Sequence, residues 1–274
     1  MSVGDPLVSV VIPTHNRMHY LPDTVKSVCE QSYVNWELII VDDGSTDGTA
    51  DYLCELKRRD KRISAVFHSR CANPSRLRNA GIARARGDYI TFLDSDDVWM
   101  PNKLTEQVGR VRHDLHCRWS YTDAISIDEH GEEMAVDLSH TWKQPSGWIL
   151  DQLISADAAI ALPTVLAERN LVLAIGGFDE SVRLCEDYDL WFQFASRSPV
   201  LFVPEILTKV RRHSSNYSHY ANQPGDMDRW WLYICKKVYG STNNVKAKVA
   251  CKRQIALRMM RLAQVPLQDK TCGG

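Results

Sequence analysis

The chain has 274 residues, 44% of them apolar and 24% charged, with a formal net charge of −1. That length accommodates one large α/β domain or two small ones with ample core, and the ordinary balance of apolar and charged residues excludes a disordered chain. The net charge conceals a split: from Arg229 to the end stand ten Lys or Arg against one acid, Asp269, leaving 23 basic and 33 acidic residues in a body unsuited to nucleic acid.

Met1 to Leu7 lacks the basic-then-apolar order of a secretory signal. Val8 to Ile12 is a β-branched run ended by Pro13, and Leu38 to Val41 is a second, ended by Asp42-Asp43-Gly44. Between them Leu21, Val25, Val28 and Cys29 recur at helical spacing. The pattern repeats with a helix through Tyr52, Leu53 and Leu56, a strand from Ile63 to Phe67, a helix from Ser75 to Arg86 and a strand from Tyr89 to Leu93. Strands apolar on both faces belong in a parallel sheet covered on both sides, so four successive βα units predict an α/β, Rossmann-like, doubly wound sheet. Ligands of such sheets sit beyond the carboxyl ends of the strands. Pro13-Thr14-His15-Asn16, Asp42-Asp43 and Asp94-Ser95-Asp96-Asp97 all fall there.

The last of these crowds three carboxylates behind one strand, and such groups repel unless a cation joins them. A hard divalent ion, Mn²⁺ or Mg²⁺, answers that need and commonly shares its site with substrate phosphates. Asp and Ser also favour N-caps and turns, so the tetrad alone leaves both readings open.

Beyond Pro101 the pattern predicts a helix from Lys103 to Arg112, a strand from Trp119 to Ile127 and a hairpin-like turn at Glu129-His130-Gly131-Glu132. The apolar stretch from Leu153 to Ala167 is broken by Asp157 and Pro163 and is too short to span a bilayer. Gly176-Gly177-Phe178-Asp179 leads to Glu186-Asp187-Tyr188-Asp189-Leu190-Trp191, which opens a helix, and acids suit a first turn through the helix dipole. A strand-like run from Ile206 to Val210 precedes Arg211-Arg212-His213. From Arg229 the chain is amphipathic and basic; residues 229–262 either rest on an anionic membrane or form helices packed on the domain with solvated Lys and Arg. The eight cysteines show no C-x-x-C pair and read as reduced core thiols, not as a zinc site. Together these features predict a cytoplasmic protein, at most peripheral at the inner face of the membrane.

Six linked segments resemble the family 2 glycosyltransferases of GT-A fold, over Val8 to about Ser218. Val8 to Arg17 looks like the first strand and nucleotide loop, and Glu37 to Asp47 like the second strand with its base-reading acid. Arg78-Asn79-Ala80-Gly81-Ile82 and Gly87-Asp88-Tyr89-Ile90 lead into Asp94-Ser95-Asp96, which resembles the D-x-D metal motif. Gly176 to Asp179 with Glu186-Asp187 resembles the acceptor-side segment carrying the catalytic carboxylate, and Arg211-Arg212-His213 the late histidine that closes the metal site.

The resemblance implies a mostly parallel sheet with helices on both faces and a C-terminal helical segment, divided as 1–100 for the nucleotide-sugar half, 101–222 for the acceptor half and 223–274 for the basic helices. It further implies an inverting transfer of one sugar from a nucleotide-diphosphate donor, a UDP-sugar first, to a saccharide or lipid-linked saccharide hydroxyl in surface polysaccharide or glycoconjugate synthesis. Pro13, Thr14, His15, Asn16, Asp43, Arg78, Asp94 and Ser95 are the expected nucleotide contacts, with Arg78 equally suited to a rim carboxylate. Asp96, Asp94 and His213 are the expected ligands of Mn²⁺ or Mg²⁺. Asp187 is the expected general base, with Glu186, Trp191 and Trp99 on the acceptor side, although the two tryptophans also suit the core.

Two features depart from the family. Asn73-Pro74-Ser75-Arg76 is less glycine-rich than its loop, and the Gln-x-x-Arg-Trp of membrane polysaccharide synthases is missing, since Gln223 stands too far from Arg229-Trp230. The second departure favours adding one sugar over building a polymer. Leu93-Asp94-Ser95-Asp96-Asp97-Val98 also fits a haloacid-dehalogenase-like phosphatase, whose motif usually lies near the start of the chain, and a nucleotide-sugar-binding module without catalysis is a third possibility.

Overall fold

A computed structural model of the chain describes residues 4–134, 143–214, 216 and 224–265. Cys272 and the division expected between residues 222 and 223 lie outside the described residues.

The β-branched runs form the strands expected of them: β1 (Val8–Thr14), β2 (Trp36–Asp43), β3 (Ile63–His68) and β4 (Tyr89–Phe92). They alternate with α1 (Leu21–Cys29), α2 (Thr49–Arg59) and α3 (Pro74–Ile82). The remaining elements are β5 (Val98–Trp99), α4 (Lys103–Val111), β6 (Trp119–Ile127), α5 (Leu150–Ile154), β7 (Leu166–Glu168), α6 (Arg169–Ala174), α7 (Glu186–Ala195) and β8 (Val200–Arg211). Helices α8 (Asp226–Ser241) and α9 (Val245–Ala263) follow.

All eight strands share one sheet of order β3-β2-β1-β4-β7-β6-β8-β5. The first four are wholly parallel, as the βα repeat requires. Beyond β4 the sheet is mixed, with β7 antiparallel to both β4 and β6, β8 parallel to β6, and β5 antiparallel to β8. Thus the sheet continues through both expected halves.

Successive side chains of a strand point to opposite faces, and both faces here are covered. Val8, Val10, Ile12, Leu38 and Ile40 pack with Leu21, Val25 and Leu104 in one core. Val11, Ile39, Val41 and Phe92 join the other, which extends to Trp119, Trp191 and the buried residues of α8 and α9. Helix α3 is pressed onto β1 because residue 81 is glycine: a Cβ there would collide with Val11 Cγ1.

Helix α3 ends at Ile82, short of the expected Arg86, and β8 runs longer than the expected Ile206 to Val210. Pro204 interrupts its ladder with β6, because proline has no N–H to donate. Thr122 pairs with Val203 but Asp123 with Ile206, a bulge opposite Pro204 and Glu205. Of the cysteines, Cys117, Cys185, Cys235 and Cys251 are buried as expected, whereas Cys29 is exposed; all seven described cysteines are free thiols.

Trp191 and Trp99 correct the acceptor-side reading. Trp191 is fully buried, stacks on Trp119 at 5.9 Å between ring centres and donates from Nε1 to the Ile160 carbonyl at 3.2 Å. Trp99 is 2% exposed and donates to the Pro163 carbonyl at 2.8 Å. A ring buried on all sides with its N–H satisfied is core, and neither indole offers a face to a ligand.

Candidate functional site

The carboxyl ends of β1, β2 and β4 bring three polar loops to one rim. Asn16 follows β1 in the left-handed region (φ 51°), which Asn tolerates better than most residues. Its backbone N–H donates to Ser45 Oγ at 2.8 Å, and its side-chain oxygen accepts from Thr46 N at 2.8 Å, so the β1 and β2 loops are stitched together. Beside it, Thr14 Oγ1 and His15 Nδ1 are buried without a hydrogen-bond partner, and buried polar atoms are seldom left so unless something else binds there.

Asp43 is fully buried, and its oxygens accept from Cys71 N at 2.7 Å, from Ala72 N at 2.9 Å and from the Arg70 guanidinium. Burial acts to raise this carboxyl, but the backbone donors and Arg70 outweigh it and hold it below the ordinary carboxylate value. In this conformation Arg70, half exposed, covers the acid expected to read the base. Nothing in the local sequence marks Arg70 for that place.

The four residues after β4 are separated by their partners. Asp94 Oδ1 accepts from Arg78 Nη2 at 2.8 Å. Ser95 is buried. Asp96 Oδ2 lies 2.9 Å from His213 Nε2 and 3.8 Å from Arg17 Nε. Asp97 accepts from the backbone N–H of Arg211 at 2.8 Å, and burial, then the charges of Asp96 and Asp94, push its carboxyl well above the ordinary value. Arg211 clamps the loop in place: Nε donates to the Asp96 carbonyl at 2.8 Å, while Nη1 reaches the carbonyl of Glu129 at 3.1 Å. His213 is brought in by β8 and lies against Tyr20, with 4.7 Å between ring centres.

The expected trio of Asp96, Asp94 and His213 is therefore not a three-ligand group. Asp96 and His213 meet, Asp94 is turned to Arg78, and among the described residues no three His, Cys, Asp or Glu converge as a metal site.

Arg78 joins the two acidic clusters. It is 5% exposed, and its Nη1 donates to Glu186 Oε1 at 2.9 Å while Nη2 holds Asp94. Its neighbour Asn79 fastens the acceptor-side loop by exchanging two 2.9 Å bonds with the backbone of Phe178. Gly177, at φ 77°, permits that approach, because a Cβ would stand 2.5 Å from Asn79 Oδ1.

Glu186 opens α7 with Asp187 and Asp189 in the first turn. Asp189 is 1% exposed and meets Lys237 of α8 at 2.9 Å; the same ammonium holds Asp179 at 2.8 Å. Asp187 faces a cleft of about 350 Å³ lined also by Tyr121, Asp123, Tyr188 and Arg212. Only part of its surface opens to that cleft, and it has no ion-pair partner among the described residues. Burial, then the charge of Glu186, pushes its carboxyl up to about 7. A larger groove of about 630 Å³ at the opposite rim, beside Arg86, Arg112 and Arg169, holds arginines already engaged by Glu37, Asp5 and the Ala85 carbonyl.

Residues 9–141 match the family model described as Glycosyl transferase family 2. An uncharacterised glycosyltransferase of Rickettsia conorii is 35% identical over 209 residues, 76% of this chain but 33% of the Rickettsia protein, so the chain spans about one third of that relative. The putative teichuronic acid biosynthesis glycosyltransferase TuaG of Bacillus subtilis is 44% identical over 131 residues, 48% of this chain and 52% of TuaG. Among solved structures, S. aureus TarS 1-349 in complex with UDP-GlcNAc superposes with a TM-score of 0.72 at 18% identity, covering 95% of this chain and 76% of that one. The mannosyltransferase PcManGT of Pyrobaculum calidifontis, in complex with GDP-Man and Mn²⁺, superposes with a TM-score of 0.67 at 15% identity, covering 95% and 75%. With a D-x-D loop after the fourth strand of a 3-2-1-4 parallel sheet and these likenesses in sequence and fold, the chain has the GT-A fold, and its residues 9–141 are those of a glycosyltransferase family 2 domain.

Proposed function

We propose that this protein transfers one sugar from a nucleotide-diphosphate donor, a UDP-sugar, to an acceptor hydroxyl with inversion, in the synthesis of a surface polysaccharide or glycoconjugate. The observation that carries the reading is Asp187: a half-buried carboxylate with a pKa of about 7, facing a cleft and linked through Glu186 and Arg78 to the Asp94–Asp96 rim. A general base works best when its pKa lies near the operating pH. Asp187 takes the acceptor's hydroxyl proton as that oxygen bonds to the anomeric carbon, and the bond from that carbon to the β-phosphate oxygen breaks, releasing the nucleoside diphosphate. Attack from the face opposite the departing diphosphate inverts the anomeric centre.

On the donor side, residues 1–100 form the nucleotide half and residues 101–222 the acceptor half. The unpartnered Thr14 Oγ1 and His15 Nδ1 support a nucleotide between the β1 and β2 loops, with Pro13 and Asn16 shaping the wall. Asp43 accepts a ring N–H of the base once Arg70 swings aside, a movement its half-exposed guanidinium permits. Arg78 keeps Asp94 oriented at the rim, and Ser95 sets the turn.

Asp96 Oδ2 and His213 Nε2, 2.9 Å apart, offer the oxygen and imidazole nitrogen donors that would hold a divalent ion, Mn²⁺ or Mg²⁺, beside the nucleotide loops. Such an ion would supply Lewis-acid stabilisation of the charge that builds on the β-phosphate. The UDP-GlcNAc named with TarS, the GDP-Man and Mn²⁺ named with PcManGT, and the teichuronic acid pathway named for TuaG support donor class, metal and product class.

A thermal-shift panel of UDP-, GDP- and dTDP-sugars with Mn²⁺, Mg²⁺ or chelator tests the reading. A ligand at a hundredfold its dissociation constant adds about 2.7 kcal/mol of stability. The expected result is a metal-dependent shift with UDP-sugars; a shift indifferent to chelator would remove the metal, and no shift with any nucleotide-sugar would remove the donor assignment.

A further inference from the structure

Seven apolar residues of the basic C-terminal segment are buried in packing. In α8, Trp231, Ile234, Cys235 and Val238 are buried, and Trp231 meets Tyr188 with 4.7 Å between ring centres. In α9 the buried positions are Ala247, Ala250, Cys251 and Gln254, a single face at helical spacing. Small side chains on that face let α9 lie close to α8 and α5.

The opposite face of α9 is unlike an ordinary solvated surface. Val245, Val249, Ala256 and Met260 fall within about one-sixth of a turn of one another, given about 3.6 residues per turn. Val245 is 74% exposed, Val249 45%, Met260 65% and the adjoining Met259 55%. Lys248 and Lys252 border this stripe on one side, Lys246 and Arg253 on the other. The helix has no acid, and among the described residues these four cations have no carboxylate partner; Arg258 and Arg261 are the ones that meet Asp228. An apolar centre with cationic margins is the pattern of a helix lying in a lipid headgroup layer, where the apolar side chains enter the acyl boundary and Lys and Arg meet anionic headgroups. A nucleic acid would satisfy the margins but leave the centre in contact with phosphate and water.

The place of this face bears on chemistry. The end of α9 that carries Met259 and Met260 returns to the start of α8, where Arg258 holds Asp228 at 2.7 Å and a Cβ on Gly225 would lie 3.2 Å from Leu262. The start of α8 in turn contacts the start of α7: the Met227 and Cys185 sulfur atoms are 2.8 Å apart, one residue before Glu186 and two before Asp187. We infer that the outward face of α9 seats the protein on an anionic lipid surface, with the acceptor cleft near that surface, so that the acceptor hydroxyl belongs to a saccharide on a lipid carrier. The lipid-carrier part rests on the transferase reading above; the docking surface does not.

Sedimentation with vesicles of phosphatidylcholine containing phosphatidylglycerol, at low salt, tests the surface. Wild-type protein is expected to sediment with these vesicles and not with phosphatidylcholine alone. Lys246→Gln with Lys252→Gln and Arg253→Gln should weaken partitioning by about a hundredfold, as each surface charge near an anionic leaflet contributes about 1 kcal/mol. Val249→Asn with Met260→Asn should weaken it about tenfold through lost apolar burial. Both sets of positions are exposed, and the nucleotide-sugar thermal shift of each variant should match wild type, which also verifies folding. Absence of sedimentation with the anionic vesicles, or sedimentation unchanged by both variants, would overturn the inference. So would a concentration-dependent dimer abolished by Val249→Asn and Met260→Asn, since a second copy would then cover the face. Vesicle binding without any nucleotide-sugar shift would instead sink the transferase reading and leave the docking surface standing.

Discussion

The loop after β4 and the first turn of α7 each hold three acids within four residues, yet the fold treats them in opposite ways. After β4 every acid has a donor of its own: Arg78 for Asp94, His213 for Asp96 and the Arg211 N–H for Asp97. In α7 two acids are matched with cations, Glu186 with Arg78 and Asp189 with Lys237, while Asp187 between them accepts, among the described residues, only its neighbour's N–H at 2.8 Å. A partner fixes where a carboxyl group points, which suits binding; Asp187, without a cation among the described residues and pushed up to about 7 by burial and the charge of Glu186, suits proton transfer. Acidic composition by itself therefore does not separate a matched acid from an unmatched one, whereas the fold does.

The sharpest way to break this contrast is Asp187→Asn. Transfer should fall by about 10²–10⁴, the usual worth of a general base, with nucleotide-sugar binding unchanged. Steady-state rates alongside the thermal shift check both halves, and near wild-type transfer would sink the assignment. The same carboxyl predicts a rate that rises with pH through about 7 in the wild type. Its effect on stability has the opposite direction. The carboxyl titrates near 3.8 when unfolded and near 7 when folded, so between those values the folded state holds more protons and stability falls as pH rises. Asp187→Asn should then melt higher than wild type at pH 8, by no more than about 4 kcal/mol, with the gain vanishing below about pH 4.

Removing the link between the clusters should be the next largest effect. Arg78→Met leaves Glu186 and Asp94 facing one another without their shared cation, and loss of a buried partner typically costs about 3–5 kcal/mol. Asp94 is 35% exposed, so about 3 kcal/mol by urea unfolding is the expected value. A cost under 1 kcal/mol would mean that solvent already screens the bridge.

Lys237→Met tests the other matched acid. Asp189 would lose its cation while 1% exposed, and about 2 kcal/mol of destabilisation is expected, with some loss carried by Asp179. An unchanged midpoint of unfolding would show that Asp189 is neutral in the native state. The smallest effect belongs to Arg70→Ala. Its half-exposed guanidinium should contribute less than about 1 kcal/mol to stability, so this variant isolates any change in nucleotide affinity caused by uncovering Asp43. Weakened UDP-sugar binding would show that Arg70 itself meets the nucleotide.

Much of this was open to reading in the primary structure because it is local. The β-branched runs of β1, β2 and β4, the helical spacing of Leu21, Val25 and Val28, and the polar segments that end the strands declare themselves within a few residues. Periods of 2 and 3.6 are short-range signals, and the order of the motifs along the chain was enough to indicate the family. The C-terminal helices were equally visible as amphipathic and basic, but whether their apolar residues faced protein or solvent was not.

Tertiary structure decided everything that joins distant residues. Trp191 and Trp99 carry the same chemistry in a core as on a binding shelf, and only the packing of Trp119 and Pro163 around them settles which they are. The insertion of β7 between β4 and β6 follows from no local pattern in a three-residue strand. Above all, Arg78 meets Glu186 across 108 positions and His213 meets Asp96 across 117, while Asp187 meets no cation among the described residues. Charge compensation is a property of distances in space, so the residue types were written in the sequence, but which acids meet a cation and which do not was decided only when the sheet brought them together.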